Sequence, residues 1–354
     1  MSAPRRTEDD WRSLLSLDSP TEERNPRTGT IDLLDSADLV HLITAEDRTV
    51  ADAVAAVEAP LAALVDLAVH AIRAGGRVHY VGAGTSGRLG VLDAAELAPT
   101  YGVGTEWFVA HLAGGPSAMV TAVEGAEDDP GLGADAVTGI GTADLVVGIA
   151  ASGRTPYVGG ALEHARAVGA RTALISANPG ATLARLADVA VLVDTGPEVV
   201  TGSTRMKAAT AQKLVLNTFS TATLIRLGRT YSNLMIDVRA TNRKLRARTV
   251  RMLVQATGRP APDCERALID AGQDVRTALV ALLADVGPGA ARSALDRAVD
   301  PERGPDPSGV RTAVADLTGT PFPVAESTHP AQPARDTTRN RPAGAPDTAG
   351  SPVT

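Results

Sequence analysis

The chain has 354 residues, 44% hydrophobic and 21% charged, which is enough for one large core and a smaller one. Its net charge of −7 argues against a nucleic-acid-binding surface, and its single cysteine, Cys264, excludes an internal disulfide and a cysteine-based zinc site. No stretch approaches 18 consecutive apolar residues, and the amino terminus lacks the apolar core of a signal peptide. We therefore expect a cytoplasmic protein with no membrane segment.

The beginning of the chain divides into an arm and a helix. Residues 1–43 are polar with short apolar patches and turn-forming residues, which favours an exposed arm. From Thr49, apolar side chains recur every three or four residues as far as Ile72, and Gly75 follows. This spacing predicts one helix that ends at the glycine.

Strand-like and helix-like segments then alternate. Several strand-like segments, such as 145–150, are uninterrupted apolar runs, which are typical of a parallel sheet buried on both faces. The predicted strands are 77–82, 107–112, 144–150, 171–176 and 189–194. The predicted helices are at about 87–98, 116–125, 156–168 and 180–187. We expect an α/β fold whose ligand binds at the carboxyl ends of the strands.

The second half of the chain is predicted to be mostly helical. Long helix patterns occupy 204–228 and 239–257, and the segment G-R-P-A-P that starts at Gly258 marks a boundary, so that the main domain is 44–258. Residues 259–304 form a small helical domain, with three short helices predicted within 262–299. The proline-rich remainder, 305–354, has little apolar periodicity and is interpreted as a disordered tail.

The segment G-A-G-T-S-G at 82–87 lies between a predicted strand and a predicted helix. It matches the G-x-G-x-x-G pattern of dinucleotide-binding loops, but Glu106 precedes the second strand and no acid lies at that strand's end. Backbone N–H groups at a helix start, next to glycines, also form a seat for a phosphate. We predict a phosphate loop made of Gly84, Thr85, Ser86 and Gly87.

A second loop of this kind, A-S-G-R-T-P at 151–156, follows the predicted strand 144–150. The alternative is an ordinary helix cap, since a proline suits the first helical position. Two hydroxyl-bearing loops at the ends of two strands favour one phosphate gripped from two sides. The residues predicted to bind it here are Ser152, Gly153, Arg154 and Thr155.

A third polar loop at 196–207 follows the last predicted strand and opens the longest helix. A cap by Ser203 or Thr204 is the alternative interpretation. The excess of polar groups suggests a third wall of the site. The residues predicted for this wall are Glu198, Ser203, Arg205 and Lys207.

These three loops together resemble a sugar isomerase (SIS) domain, a family that binds phosphosugars. More closely, several blocks across 21–258 resemble the N-acetylmuramic acid 6-phosphate etherase family. They include T-E-E-R-N-P-R-T, L-D-A-A-E-L-A-P-T-Y-G, A-V-E-G-A-E-D, G-I-A-A-S-G-R-T-P-Y and S-T-R-M-K. The resemblance implies an SIS-type three-layer sandwich with a five-stranded parallel sheet and a small C-terminal helical bundle. It also implies a homodimer with sites near the subunit interface, and it does not extend to the tail.

The same resemblance implies the chemistry, which needs no metal and no cofactor. Elimination of D-lactate from C3 of the phosphosugar, followed by water addition, would use two carboxyl groups for proton transfer. By resemblance these are Glu96, the acid for lactate departure and the partner of the incoming water, and Glu127, the base at C2. Glu124 lies three residues before Glu127 and is the nearby decoy.

Two questions stay open in the sequence. A helix that starts at Gly87 would carry Glu96 roughly 13 Å along its axis, too far from a phosphate at its own start. Either the helix breaks near Gly90 or Glu96 serves a neighbouring subunit, and we favour the second. The lactyl carboxylate needs a cation, and the candidates are Arg154, Arg205 and Lys207. The alternative functions are a non-enzymatic sugar-phosphate-binding regulator and a sugar-phosphate isomerase.

Overall fold

The computed structural model describes residues 19–238, 243–298 and 307–321. The described residues up to Thr320 belong to one compact unit. Most of the predicted tail and the first 18 residues of the predicted arm lie outside the described residues.

A five-stranded parallel sheet forms the centre of the unit, as the sequence predicted. Its order is β2-β1-β3-β4-β5. The strands are Val78–Gly82 (β1), Phe108–Leu112 (β2), Leu145–Ile149 (β3), Arg171–Ser176 (β4) and Val189–Leu192 (β5). β1, β3 and nearly all of β4 are buried, which explains why β3 is a continuous apolar run and why β1 and β4 are mostly apolar.

Helices cover both faces of this sheet and complete the three-layer α/β sandwich. They are Ser36–Ala55 (α1), Glu58–Arg73 (α2), Gly84–Tyr101 (α3), Pro130–Ala136 (α4), Pro156–Ala167 (α5) and Lys207–Arg226 (α6). One buried core contains side chains of α2, α3 and α6 on one face of the sheet, and a second contains side chains of α5 on the other.

Aromatic packing holds α6 against the sheet, and one hydrogen bond ties α3 to it. The ring of Tyr80 on β1 lies 5.8 Å from that of Phe108 on β2 and 6.2 Å from that of Phe219 on α6. Its hydroxyl donates to the buried Asp93 on α3 at 2.9 Å. Burial and the neighbouring carboxylate raise the pKa of Tyr80 well above its ordinary value, so this donor keeps its proton.

Four predictions about local structure were wrong. The single helix expected from Thr49 is two helices, α1 and α2, and α1 begins at Ser36, inside the predicted arm. Asp35 caps it by accepting from the Asp38 N–H. The helices expected at 116–125 and 180–187 are short 3₁₀ turns, Pro116–Met119 and Thr182–Leu186.

The carboxyl-terminal helices enclose a core of their own. These helices are Arg243–Thr257 (α7), Ala261–Asp270 (α8), Val275–Ala284 (α9), Pro288–Ala298 (α10) and Val310–Thr318 (α11), preceded by a hairpin of Thr230–Tyr231 (β6) and Leu234–Met235 (β7). The three helices expected within 262–299 are present. The core begins at Ile236 and includes α7, so α7 packs with the later helices. α11 is an ordered helix within the predicted tail, which corrects the start of that tail.

No single helix in the described ranges is long and apolar enough to cross a membrane. Two bent pairs, α1 with α2 and α9 with α10, reach the required length and composition only when each pair is counted together.

Candidate functional site

The order of the strands creates a crevice between β1 and β3. The chain leaves β1 toward β2 on one side and returns to β3 on the other, so the connections diverge at this point. Gly82 at the end of β1 pairs with Ile149 at the end of β3. The two predicted phosphate loops therefore start side by side, at the position where open α/β sheets bind ligands.

The first loop ends in an uncapped helix start. Ala83 is the N-cap residue of α3, and it has no side-chain acceptor that could cap the first N–H groups of that helix. Gly84 has a φ of +52°, and a Cβ placed on it would meet no atom within 4 Å, so the space above it is open. Thr85 is half-buried, whereas the buried Ser86 donates its hydroxyl to Gln212 at 2.9 Å. Open space and uncapped N–H groups are the features of an anion seat.

The second loop is braced by residues that the sequence did not single out. The carbonyl of the half-buried Ser152 accepts from Asn178 Nδ2 at 3.1 Å, and the hydroxyl of Ser176 donates to the carbonyl of Ala151 at 3.0 Å. Gly153 has a φ of +67°, and a Cβ on it would collide with Ala181. Ser176 is the last residue of β4, and Asn178 follows that strand. Their position beside the loop is set by the order of the strands, which the sequence does not reveal.

The remaining predicted residues of this loop lie at the start of α5. Arg154 and Thr155 are half-buried, and Thr155 precedes the helix without capping it by its side chain. The hydroxyl of Thr155 is therefore not used as the ordinary helix cap that was the alternative interpretation.

A cavity of roughly 200 Å³ joins the first loop to the acidic turn at 124–127. Gly84 and Arg88 line it from the start of α3, and Glu124 and Glu127 line it from the turn. Arg88 was missed in the sequence, although it lies directly after the glycine loop. Its Nε donates to the carbonyl of Ala118 at 2.9 Å, which ties α3 to the segment that leads to the acidic turn.

The acidic turn is anchored on both sides of Glu127. Ala126 is buried in the core that contains α5, while the neighbouring Glu127 is exposed. Asp129 caps α4 by accepting from the N–H groups of Gly131 and Leu132. The anchor and the cap hold Glu127 at the cavity, and Glu124 lines the same cavity.

Glu96 lies away from this cavity. α3 runs without interruption from Gly84 to Tyr101, which removes the proposed break near Gly90. Glu96 is twelve positions beyond the helix start, or about 18 Å at about 1.5 Å per residue. Its side chain is exposed, whereas Asp93 and Leu97 face the interior. Glu96 is therefore not among the residues that line the cavity beside Glu127.

The third predicted wall is largely folded inward. Glu198 is 0% exposed and accepts from the backbone N–H groups of Lys207 and Ala208 at 2.9 and 3.0 Å. It therefore caps α6, where no side chain of the N-cap residue does so. Burial raises the pKa of Glu198, and the two backbone N–H groups oppose that shift.

Lys207 is 1% exposed and is held by the protein. Its Nζ donates to Glu46 at 3.2 Å and to the carbonyl of Pro197 at 3.2 Å. The guanidinium of Arg27 donates to both carboxylate oxygens of Glu46. Glu46 also accepts from the side-chain amide of Asn25 at 3.0 Å. These four residues, Asn25, Arg27, Glu46 and Lys207, are called the arm cluster below. They bind the Lys207 ammonium inside the protein, as the α6 backbone binds the Glu198 carboxylate, and the role of these two residues as walls of the site stays a prediction.

The arm cluster depends on the ionised carboxylate of Glu46. The Arg27 guanidinium, followed by Asn25 and Lys207, lowers the pKa of Glu46 to about 2, against the opposing effect of burial. Thr21 and Thr28 extend the contact, since the Thr21 carbonyl accepts from Gly202 and the Thr28 hydroxyl donates to Val199. The predicted exposed arm is therefore packed on the third loop over these residues. Ser203 is half-buried and Arg205 is exposed in the same loop.

Two histidines stack on neighbouring strands of the sheet. The rings of His79 on β1 and His111 on β2 lie 5.3 Å apart, and His79 Nδ1 is 3.0 Å from His111 Nε2. Burial, then repulsion from His79, lowers the pKa of His111 to about 4, so the pair is neutral near pH 7. Across residues 19–238, 243–298 and 307–321, no group of three His, Cys, Asp or Glu side chains is arranged to hold a metal ion.

Comparisons with known proteins assign the family. A family model described as the glucokinase regulatory protein N-terminal SIS domain matches residues 60–166, and the SIS domain model matches residues 119–222. An N-acetylmuramic acid 6-phosphate etherase from Thermobifida fusca is 59% identical over 266 residues, which cover 75% of this chain and 87% of the relative. The chain belongs to the N-acetylmuramic acid 6-phosphate etherase family.

Other etherases extend this relationship. The etherase of Pectobacterium atrosepticum is 50% identical over 277 residues, which cover 78% of this chain and 91% of that relative. Among solved structures, a phosphoheptose isomerase from Francisella tularensis is 18% identical, with a TM-score of 0.44 and coverage of 54% of this chain and 98% of the other.

Proposed function

We propose that this protein cleaves the D-lactyl ether of N-acetylmuramic acid 6-phosphate and releases N-acetylglucosamine 6-phosphate and D-lactate. The observation that carries the proposal is the cavity lined by both Gly84 of the anion seat and Glu127 of the acidic turn. Membership of the etherase family supports the substrate. In this proposal the protein is a carbon–oxygen lyase of the cytoplasm, acts in cell-wall amino sugar recycling and uses no cofactor.

The reaction needs proton transfer at two positions. An alkyl ether is a poor leaving group, but opening the sugar to its aldehyde makes the hydrogen on C2 acidic. A base removes that proton, an acid protonates the departing lactate oxygen, and water then adds to C3 of the enal. Hydrogen-bond donors near the aldehyde oxygen stabilise the intermediate enolate.

The two loops at the crevice between β1 and β3 are assigned to the phosphate. Uncapped N–H groups and the open space above Gly84 support this assignment on the first loop. The hydrogen bonds that brace Ser152 support it on the second. The cations assigned to the lactyl carboxylate are Arg205, which is exposed, and Arg154, which lies in the second loop, whereas Lys207 is buried and paired with Glu46.

Glu127 is assigned as the base at C2. It is exposed, it lines the cavity beside the anion seat, and its turn is held by a buried anchor and a helix cap. Glu124 lines the same cavity and serves as the matched comparison for this assignment.

Glu96 is assigned as the acid in the site of a neighbouring subunit. Its exposure and its separation of about 18 Å from the start of α3 support a site that a homodimer completes. Leu92, one turn earlier on α3, is also exposed at 43% and is available for such a contact.

Subunit complementation tests the shared site. Glu96→Gln and Glu127→Gln proteins, each inactive alone, should regain about a quarter of the unmodified activity after subunit exchange, because half of randomly formed dimers are mixed and each has one intact site. Mixtures that stay inactive after demonstrated exchange would contradict the shared site. Exchange is checked by a size tag on one partner.

The proposed activity itself is tested by incubating the purified protein with N-acetylmuramic acid 6-phosphate and assaying D-lactate. Release that depends on Glu127 is expected. The match of 60–166 to a regulatory protein's SIS domain favours a second candidate, a sugar-phosphate-binding regulator. Tight binding of the phosphosugar without lactate release would support that candidate and reject the etherase.

A further inference from the structure

Two buried hydrogen bonds connect α3 to α6. Ser86 Oγ lies 2.9 Å from Gln212 Oε1, and Ser220 Oγ lies 3.2 Å from Asp93 Oδ1. All four side chains are less than 9% exposed. The first pair lies under the anion seat, in the first turn of α3, and the second lies about two turns farther along the same interface.

The terminal amide of Gln212 is only half used. Its Oε1 accepts the Ser86 hydroxyl, but its Nε2 is buried and has no hydrogen-bond partner among the described residues. Gln212 as a whole is 2% exposed, so water does not reach it freely. An unpaired buried N–H donor is rarer and less favourable than an under-used carbonyl oxygen.

The direction of this hydrogen bond decides what Ser86 can offer an anion. A serine hydroxyl has one hydrogen. While that hydrogen points to Gln212, Ser86 presents only oxygen lone pairs, which repel a phosphate oxygen. A rotation of the amide by about 180° exchanges its oxygen and nitrogen with little change in shape. Nε2 then donates to Ser86 Oγ, and the hydroxyl hydrogen becomes available.

We propose that Gln212 is a positioning residue that makes Ser86 a donor to the bound phosphate. In the empty site Ser86 donates to Gln212. When an anion occupies the helix start, the amide turns, Nε2 donates to Ser86, and Ser86 donates to the anion. Each hydrogen bond in such a chain polarises the next. The identity of the anion as the 6-phosphate of the substrate rests on the proposed function.

A double-mutant cycle on binding tests the proposal without turnover. The probes are N-acetylglucosamine 6-phosphate and inorganic phosphate, and calorimetry measures the dissociation constant. Ser86→Ala removes the donor and should weaken binding about 10-fold or more. The carboxylate of Gln212→Glu, when ionised, can only accept, so Ser86 keeps donating inward, and binding should weaken by at least the same factor. Gln212→Met removes both functions and should weaken binding less than Gln212→Glu, by a few-fold.

The decisive comparison is made in the Ser86→Ala background. There, both substitutions of Gln212 should lose most of their effect, because Gln212 acts through Ser86. Undiminished losses in that background would overturn the proposal and would indicate simple charge repulsion or a packing defect. If Gln212→Glu does not fold, the Gln212→Met cycle gives the same test with an uncharged side chain.

Ser220→Ala is the matched control, since it breaks the other hydrogen bond of this interface. It should lower thermal stability and leave the dissociation constant within about twofold. If it weakens phosphate binding as much as Gln212→Met does, the effect of Gln212 is structural and the proposal fails. If the coupling is found but no D-lactate is released from N-acetylmuramic acid 6-phosphate, the proposed function fails and the inference holds.

Discussion

The loop after β1 and the loop after β5 contain similar polar residues but meet opposite environments. In the first, Gly84 stands under open space and the start of α3 is uncapped. In the second, Glu198 and Lys207 are buried and bonded to the α6 backbone and to the arm cluster. One loop leaves hydrogen-bond donors for a ligand, and the other uses its polar groups inside the protein.

The difference shows why polar content alone does not identify a site. A loop becomes a binding site when its donors and charges lack partners from the protein itself. Much of the third loop loses that property because the amino-terminal segment packs on it through Thr21 and Thr28, and because Lys207 pairs with Glu46. Of the four residues predicted for the third wall, Ser203 and Arg205 stay at least partly accessible.

The largest expected effect is on catalysis, at the cavity beside the loop after β1. Glu127→Gln should lower kcat for D-lactate release by about 100-fold or more, since general acid–base groups typically contribute that much. Binding of N-acetylglucosamine 6-phosphate should hardly change. Glu124→Gln, in the same cavity, is the control and should stay within about threefold of the unmodified rate. Equal losses for the two variants would contradict the assignment of the base.

The loop after β5, whose polar groups are bonded inside the protein, should affect the stability of the fold. Glu46→Gln leaves Lys207 buried without its counter-charge, which should lower the free energy of unfolding by about 3–5 kcal/mol in urea titrations. The control is Glu265→Gln, whose ion pair with Arg246 is exposed and should contribute less than about 1 kcal/mol. Comparable losses in both variants would mean that the arm cluster is no tighter than a surface pair.

Ser152→Ala, in the second phosphate loop, should have a smaller effect, on substrate binding. Removing one hydroxyl donor to a charged phosphate is expected to raise KM about 10-fold, with kcat changed less. Ser36→Ala, at the exposed start of α1, should leave KM within about twofold. An unchanged KM in Ser152→Ala would remove the second loop from the phosphate site.

Acid should gradually remove the stabilisation that the arm cluster contributes. The folded pKa of Glu46, about 2, lies below the ordinary value of 4.5, so the ionised carboxylate stabilises the fold at higher pH. This contribution is complete above about pH 4.5 and is lost as the pH falls toward 2. The stability difference between the unmodified protein and Glu46→Gln should therefore shrink across this window. A difference that stays constant would show that Glu46 does not act through its charge.

The sequence by itself determined the alternating α/β architecture, the five strands and the two phosphate-loop candidates. Uninterrupted apolar runs predict buried parallel strands, and glycine with hydroxyl residues between a strand and a helix predicts a phosphate loop, because these are local requirements of the backbone. The family resemblance came from many separate blocks in one order.

Only the tertiary structure decided which polar residues are paired with other groups inside the protein. The pairing of Lys207 with Glu46, the support of Ser152 by Asn178 and the contact of Ser86 with Gln212 join residues 26 to 161 positions apart. No local pattern specifies such partners, since they follow from the order of the strands and the return of the arm. The unbroken α3 likewise separated Glu96 from Glu127, because a continuous helix has a fixed rise per residue.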